Sequence, residues 1–280
     1  MVKNAAAADT TVRKLRYLPR EHGATAMLLT PIVCAGILAR TWHWSELATL
    51  TAAFAALAAK DPLVVLFRQR FIWKQKHAET GTATRWFAFW SVLFCGSGLI
   101  LLYRWPWKML AGMGSGLVAY SVVAVAVNVK NKQRSTLFQL ASAAALTSSS
   151  LACAISATGT IPDWCWWLWA LLAMHATLGI LVVHARLDAR IALRSPSTTA
   201  KQSRRTALTA LTLLACALVA AGIARQTWIA LALAVATVGF GYDLARQRNI
   251  TNLQMPLMKV GRRALALALV FAVLVIVGLW

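Results

Sequence analysis

The sequence predicts an all-α polytopic membrane protein of about nine transmembrane helices, and three observations predict it. Apolar residues fill 59% of the 280 positions and charged residues only 13%, which is too greasy for a soluble domain of this length. The apolar residues gather into nine runs, most of them near the roughly 20 residues that a helix needs to cross hydrocarbon. The basic residues fall almost entirely in alternate connections, the pattern that the positive-inside rule produces.

Taken in order, residues 1–18 are polar, alanine-rich and basic (Lys3, Arg13, Lys14, Arg16), and read as a mobile cytoplasmic tail before a single membrane domain over 19–280. Pro19-Arg20-Glu21-His22-Gly23 then sets three ionisable side chains against an apolar run that starts at Ala24. The runs lie at 24–39, 45–66, 86–103, 107–128, 136–157, 164–185, 206–223, 227–243 and 263–280. A basic segment before a 16-residue apolar run is also how a signal peptide reads. Here further runs follow and Arg40 succeeds Leu38-Ala39 without an A-x-A site, so a retained first helix is expected.

If the helices alternate in direction, all but four of the 29 basic residues share the side of the amino terminus, the exceptions being Arg40, Arg104, Lys108 and Arg225. That places the amino terminus in the cytoplasm and, with an odd number of spans, Trp280 outside. Tryptophan agrees: Trp42, Trp44, Trp105, Trp107, Trp164, Trp166, Trp167, Trp169, Trp228 and Trp280 fall at the expected outer ends, as an aromatic belt does. The cluster from Trp164 to Trp169 reads as part of that belt, since consecutive indoles on a helix cannot all face one pocket.

Composition also excludes function classes. A net charge of +21 would suit nucleic acid if it lay on one soluble face, but here it is dispersed through short loops. Membrane lipids are the expected partners of those loops. The five cysteines show no C-x-x-C spacing and behave as small hydrophobes in apolar runs. Gly112-Met113-Gly114-Ser115-Gly116 follows no strand and is no nucleotide loop; it predicts close helix packing, as do Gly96-Ser97-Gly98 and the span from Ser142 to Ser150.

Chemistry is expected where charge borders a span, because a charged side chain at a helix centre costs about 3 kcal/mol unless it faces a partner or a cavity. Glu21, Asp61, Asp188, Asp243, His22 and His184 all map to inner helix ends and predict a polar vestibule open to the cytoplasm. Each has a plainer reading. Arg20 and Glu21 suit an interfacial ion pair, with Glu21 favoured by the dipole of the first helix. Asp61-Pro62 suits a helix stop, although the apolar run from Leu63 to Phe67 then leaves Lys60 and Asp61 looking into the membrane. His184 and Asp188, four residues apart, share a helical face and suit a divalent metal, an oriented base or a simple cap. His175, deeper in the same span, suits a satisfied polar group between helices. The short link from Asn128 to Ser135, with Asn131 and Arg134, joins Arg20, Arg68 and Arg186 in a basic rim able to hold a phosphate or carboxylate. Anionic lipid headgroups satisfy the same arginines.

Leu18-Pro19-Arg20-Glu21-His22-Gly23-Ala24, followed by a first helix containing Pro31, resembles the YwiC-like family of bacterial integral membrane proteins; Asn131 to Ala143 and Val183 to Arg190 are similar to it as well. The resemblance implies the bacterial cytoplasmic (inner) membrane. More distantly, the chain is similar to the UbiA-type intramembrane prenyltransferases, whose nine helices carry two acidic motifs at the inner ends of the second and sixth. That resemblance implies a UbiA-like helical bundle, an isoprenoid substrate and magnesium (Mg) held by paired carboxylates against a diphosphate. Lys60-Asp61-Pro62 and His184-Ala185-Arg186-Leu187-Asp188 stand at those places with one aspartate each, short of the several carboxylate oxygens that a hard divalent ion bridging a diphosphate wants.

Two readings follow. In the first, a cavity at the inner face takes an amphipathic isoprenoid or quinone-type substrate. Asp61 and Asp188 hold a metal or proton there, Arg20, Arg68, Asn128, Asn131, Arg134 and Arg186 hold the anionic head, and His22, His184 or Glu21 supplies acid–base chemistry. In the second the chain is non-catalytic, either an assembly partner of a respiratory complex or a carrier of a small amphipathic anion. The polar residues sit at one rim and no internal repeat is apparent, which disfavours the carrier.

Overall fold

The computed structural model describes residues 22–75, 78–103, 105–129, 135–194 and 199–280. It is an all-α polytopic membrane protein. Helix α1 spans His22–Ala39; α2 spans Trp44–Phe67 and runs on into a π-helical segment, Arg68–Trp73. Then come α3 (Thr80–Leu101), α4 (Trp107–Val129), α5 (Thr136–Thr147), α6 (Ser149–Thr158), α7 (Asp163–Ala192), α8 (Thr199–Ile223), α9 (Thr227–Arg246), the single turn α10 (Ile250–Leu253) and α11 (Leu257–Leu279). Among the described residues eight spans are long and apolar enough to cross a membrane, with α5 and α6 together making one of them; α1 is shorter.

The segmentation differs from the hydropathy runs in instructive places. Helix α3 begins at Thr80, α8 at Thr199 and α11 at Leu257, each about two turns before its apolar run, and α7 continues to Ala192. Apolar runs mark where lipid begins, whereas the backbone stays helical past it, because unpaired amide groups are costly near hydrocarbon. Pro62 does not stop α2. It lies buried inside the helix, and Lys60 and Asp61 are helical residues one turn or more before its end.

The α5–α6 break has a local cause. Thr147 Oγ1 bonds back to the Ala143 carbonyl at 2.8 Å, Ser148 Oγ to Ala145 at 2.8 Å and Ser150 Oγ to Thr147 at 3.1 Å. Hydroxyls that compete for carbonyls in successive positions bend or interrupt a helix. Neighbouring residues tie the span to α1, with Ser149 Oγ donating to the Leu28 carbonyl at 2.8 Å and Cys153 Sγ to the Ile32 carbonyl at 3.3 Å.

Helix α1 packs on α2, α5, α6, α7 and α11, and the main apolar core gathers around it from α6, α7, α8, α9 and α11, centred on Leu168, Leu178, Leu233, Phe240 and Phe271. Helices α2 and α3 form a second leaf through Ala55, Ala58 and Trp90. A third cluster joins Ala48 and Ile155 to Leu101 and Trp105. The helix ends sort into two groups. Arg40, which ends α1 with φ +57°, lies over the Trp280 ring at 4.1 Å and so joins two carboxyl-terminal helix ends at a tryptophan-rich end. The opposite, basic end gathers the carboxyl ends of α2, α4, α7 and α9 with the amino ends of α5, α8 and α11.

Two packing expectations meet different outcomes. The serine-rich α5–α6 span is closely packed, whereas a Cβ added at Gly96, Gly98, Gly112, Gly114 or Gly116 would meet no atom within 4 Å. Close packing therefore holds for one of the small-residue stretches and not for the glycines of α3 and α4.

Candidate functional site

The motif from His184 to Asp188 is dispersed among three neighbours. His184 Nε2 lies 2.9 Å from Gln139 Oε1 on α5. Asp188 Oδ2 accepts the Ser203 hydroxyl from α8. Arg186, between them, is only 5% exposed and donates through Nη2 to the Asn252 and Leu253 carbonyls of α10 and its boundary. Spacing of four does put His184 and Asp188 on one face, but two different helices border that face and each takes one side chain. Among the described residues no three His, Cys, Asp or Glu side chains gather into a metal-sized cluster.

At the neighbouring helix ends, Arg68 Nη2 donates to the Asn128 carbonyl at 2.7 Å, and Asn128 Nδ2 donates to Ala124 at 2.8 Å. Two residues expected to share a substrate head are thus brought together across α2 and α4, where the cation sits at a helix carboxyl end as the dipole favours. Asp61 stands 3.9 Å from Lys60 with a half-exposed side chain. Arg20, Glu21, Asn131 and Arg134 lie outside the described residues, as do the tail and the side chain of His22.

Beyond Arg186 the basic end holds groups that charge pattern alone did not single out. Arg190, one turn further along α7, donates through Nε to the Leu253 carbonyl at 2.6 Å and through Nη2 to Met255. Arg246, at the end of α9, reaches Asn252 Oδ1 at 2.7 Å. Arg190, Arg246, Arg263 of α11 and the carboxylate of Asp243 all lie within electrostatic reach of Arg186. The available signal was the spacing Arg186–Arg190 on one face of α7; nothing local announced that the α9–α11 link folds back over it.

The tryptophan-rich end holds a second polar assembly. Ser156 Oγ on α6 meets the Thr49 hydroxyl of α2 and accepts Trp105 Nε1 at 2.8 Å, while Ser45 Oγ donates to the Ser156 carbonyl at 2.8 Å. Glu46 is 1% exposed and accepts the His43 amide at 3.3 Å, closing a capping box at the start of α2. Trp105, 6% exposed, departs from the aromatic belt, whereas Trp42, Trp44, Trp107, Trp167, Trp228 and Trp280 stay exposed as a belt requires. His175 lies buried between Phe271 at 4.5 Å and Phe240 at 5.0 Å, and packs α7 on α9 and α11 as expected. Its Nε2 has no hydrogen-bond partner among the described residues, which differs from the satisfied group expected there.

Residues 18–155 match the model of a family described as YwiC-like protein. The chain is YwiC-like over that span. No curated protein matches it. The YwiC-like segment runs from before α1 to Ile155 in α6 and includes the Arg68–Asn128 contact, Glu46 and Trp105. The Arg186 cluster, on α7, α9 and α11, lies beyond it.

Proposed function

We propose that this YwiC-like chain is a multi-pass protein of the bacterial cytoplasmic membrane that binds an amphipathic isoprenoid or quinone-type molecule, its anionic head at the basic end. The amino terminus faces the cytoplasm in this reading and Trp280 the outside. The observation that carries it is the charge balance at the basic end: the guanidiniums of Arg186, Arg246 and Arg263 face the carboxylate of Asp243, with Arg190 close to Arg186, flanked by apolar spans. An anionic head with an apolar tail complements both features.

Magnesium-dependent diphosphate transfer is not part of this reading. Such a centre needs several carboxylate oxygens on each ion, whereas Asp61 and Asp188 stand one to a place and Asp188 already accepts the Ser203 hydroxyl. The UbiA-type resemblance thus bears on the scaffold and the class of ligand, and not on the metal chemistry. The test is lipid mass spectrometry on protein purified from native membranes, with Asp61→Ala and Asp188→Ala beside the wild type. A stoichiometric polyprenyl or quinone-type lipid in all three supports binding without those carboxylates. Its absence from the wild type overturns the reading, and loss of turnover of a polyprenyl substrate in both variants would restore the enzyme.

One observation favours the assembly-partner reading. Gly112 and Gly116 of α4, in small-xxx-small spacing, face open space, a surface on which another transmembrane helix packs closely. A protein that co-purifies stoichiometrically and is lost on Gly116→Leu supports it.

A further inference from the structure

We propose that Arg186 and Arg190 of α7, Arg246 of α9 and Arg263 of α11 form a binding site for a phosphate-type oxyanion beside the α9–α11 link. This deepens, and rests on, the reading that an anionic head lies at the basic end. Three arginines converge on one short segment, their Nη2 and Nε groups taking the carbonyls of Asn252, Leu253 and Met255 and the side-chain oxygen of Asn252. Every one of those partners is neutral. They satisfy N–H geometry but leave the charge untouched; Asp243 faces Arg186, Arg246 and Arg263 together, and Asp188, between Arg186 and Arg190 on α7, accepts the Ser203 hydroxyl.

Donors remain for a ligand. A guanidinium carries five N–H groups, and these bonds use only part of each fork. Arg186 Nε is buried without a hydrogen-bond partner among the described residues, so this cation acts mainly through its field from behind. Arg190 and Arg246 are half-buried and Arg263 is exposed, which gives a graded opening from solvent toward the buried charge. Like charges packed in a medium of low polarity repel strongly unless an anion joins them. Several planar forks together match the several oxygens of a tetrahedral phosphate better than a single carboxylate. The same chemistry comes from two sources, the phosphate of a lipid headgroup and a free phosphate.

The experiment uses the full chain in neutral detergent after delipidation. Thermal unfolding is followed against inorganic phosphate at constant ionic strength, and again in nanodiscs of phosphatidylcholine with and without phosphatidylglycerol. Arg246→Gln/Arg263→Gln leaves the α10 carbonyl contacts of Arg186 and Arg190 in place, and Arg225→Gln at the opposite end serves as control. Stabilisation by phosphate or by phosphatidylglycerol that weakens about tenfold in the double variant and not in the control supports the site. A response to phosphatidylglycerol alone assigns it to a lipid headgroup; a response to both assigns it to free phosphate as well. Arg246→Lys/Arg263→Lys, which keeps charge but not the fork, retains part of the effect. Equal responses in wild type and double variant, or an effect that chloride reproduces, overturn the proposal. If the double variant loses the phosphate response yet retains isoprenoid lipid at wild-type stoichiometry, the anion site stands and the placing of the lipid head fails.

Discussion

The two ends of the helical bundle satisfy their polar groups by opposite means. At the tryptophan-rich end short side chains do the work: Ser45, Thr49 and Ser156 meet inside the protein and Trp105 caps them, with Glu46 buried alongside. At the basic end long cationic side chains reach across connections to backbone carbonyls, Arg68 to α4 and Arg186 and Arg190 to the α10 region. In the first arrangement the hydroxyls and the indole are neutral groups in mutual reach. In the second, Arg186, Arg246 and Arg263 outnumber the Asp243 carboxylate that they face. A closed neutral network is a device of packing, whereas uncompensated cations at a rim are where a ligand adds free energy.

From this contrast, the largest effect of substitution is expected at the tryptophan-rich end. Trp105→Ala removes a buried ring and the donor to Ser156, and is expected to cost about 3 kcal/mol, seen as a lower thermal midpoint in detergent with no change in phosphate response. Arg186→Met comes next. It withdraws donors from two carbonyls while relieving repulsion with its neighbours, for a net loss of about 1.5 kcal/mol and faster proteolysis of the 247–256 link. A thermal midpoint at or above the wild type would show that repulsion outweighs the clamp. Asp188→Asn keeps an acceptor for Ser203 and is expected to cost under about 1 kcal/mol, which urea-dependent unfolding in mild detergent resolves. The smallest effect is Arg263→Gln, within about 0.5 kcal/mol in phosphate-free buffer because that side chain is exposed. A loss as large as that of Arg186→Met would mean that Arg263 belongs to the clamp.

Burial also differs from span to span. The spans made by α5–α6 and by α7 are 56% and 50% buried, those of α4 and α8 each 11%. Hydropathy could not anticipate the difference, since α4 and α8 are as apolar as the buried spans and lipid accepts the same side chains as a protein core. For that reason glycines that suggested close packing proved closely packed nowhere on α4, while the serines of α5–α6 did meet α1.

What was legible in the residues is what a membrane imposes one segment at a time. Run length, the one-sided basic residues and most of the exposed tryptophans each depend on local transfer energies, and an all-α set of apolar spans with two chemically distinct ends follows from them. Proximity between segments was not legible. His184 and Asp188 share a helical face whatever the fold, but only tertiary structure decided that Gln139 takes one and Ser203 the other. The same holds for Trp105, whose neighbours put it in the core instead of the belt, and for Arg246 and Arg263, drawn to Arg186 by the return of the chain after α9. Partition into lipid is a property of each side chain by itself, whereas a hydrogen bond or an uncompensated charge is a property of pairs, and the pairs exist only once the helices have packed.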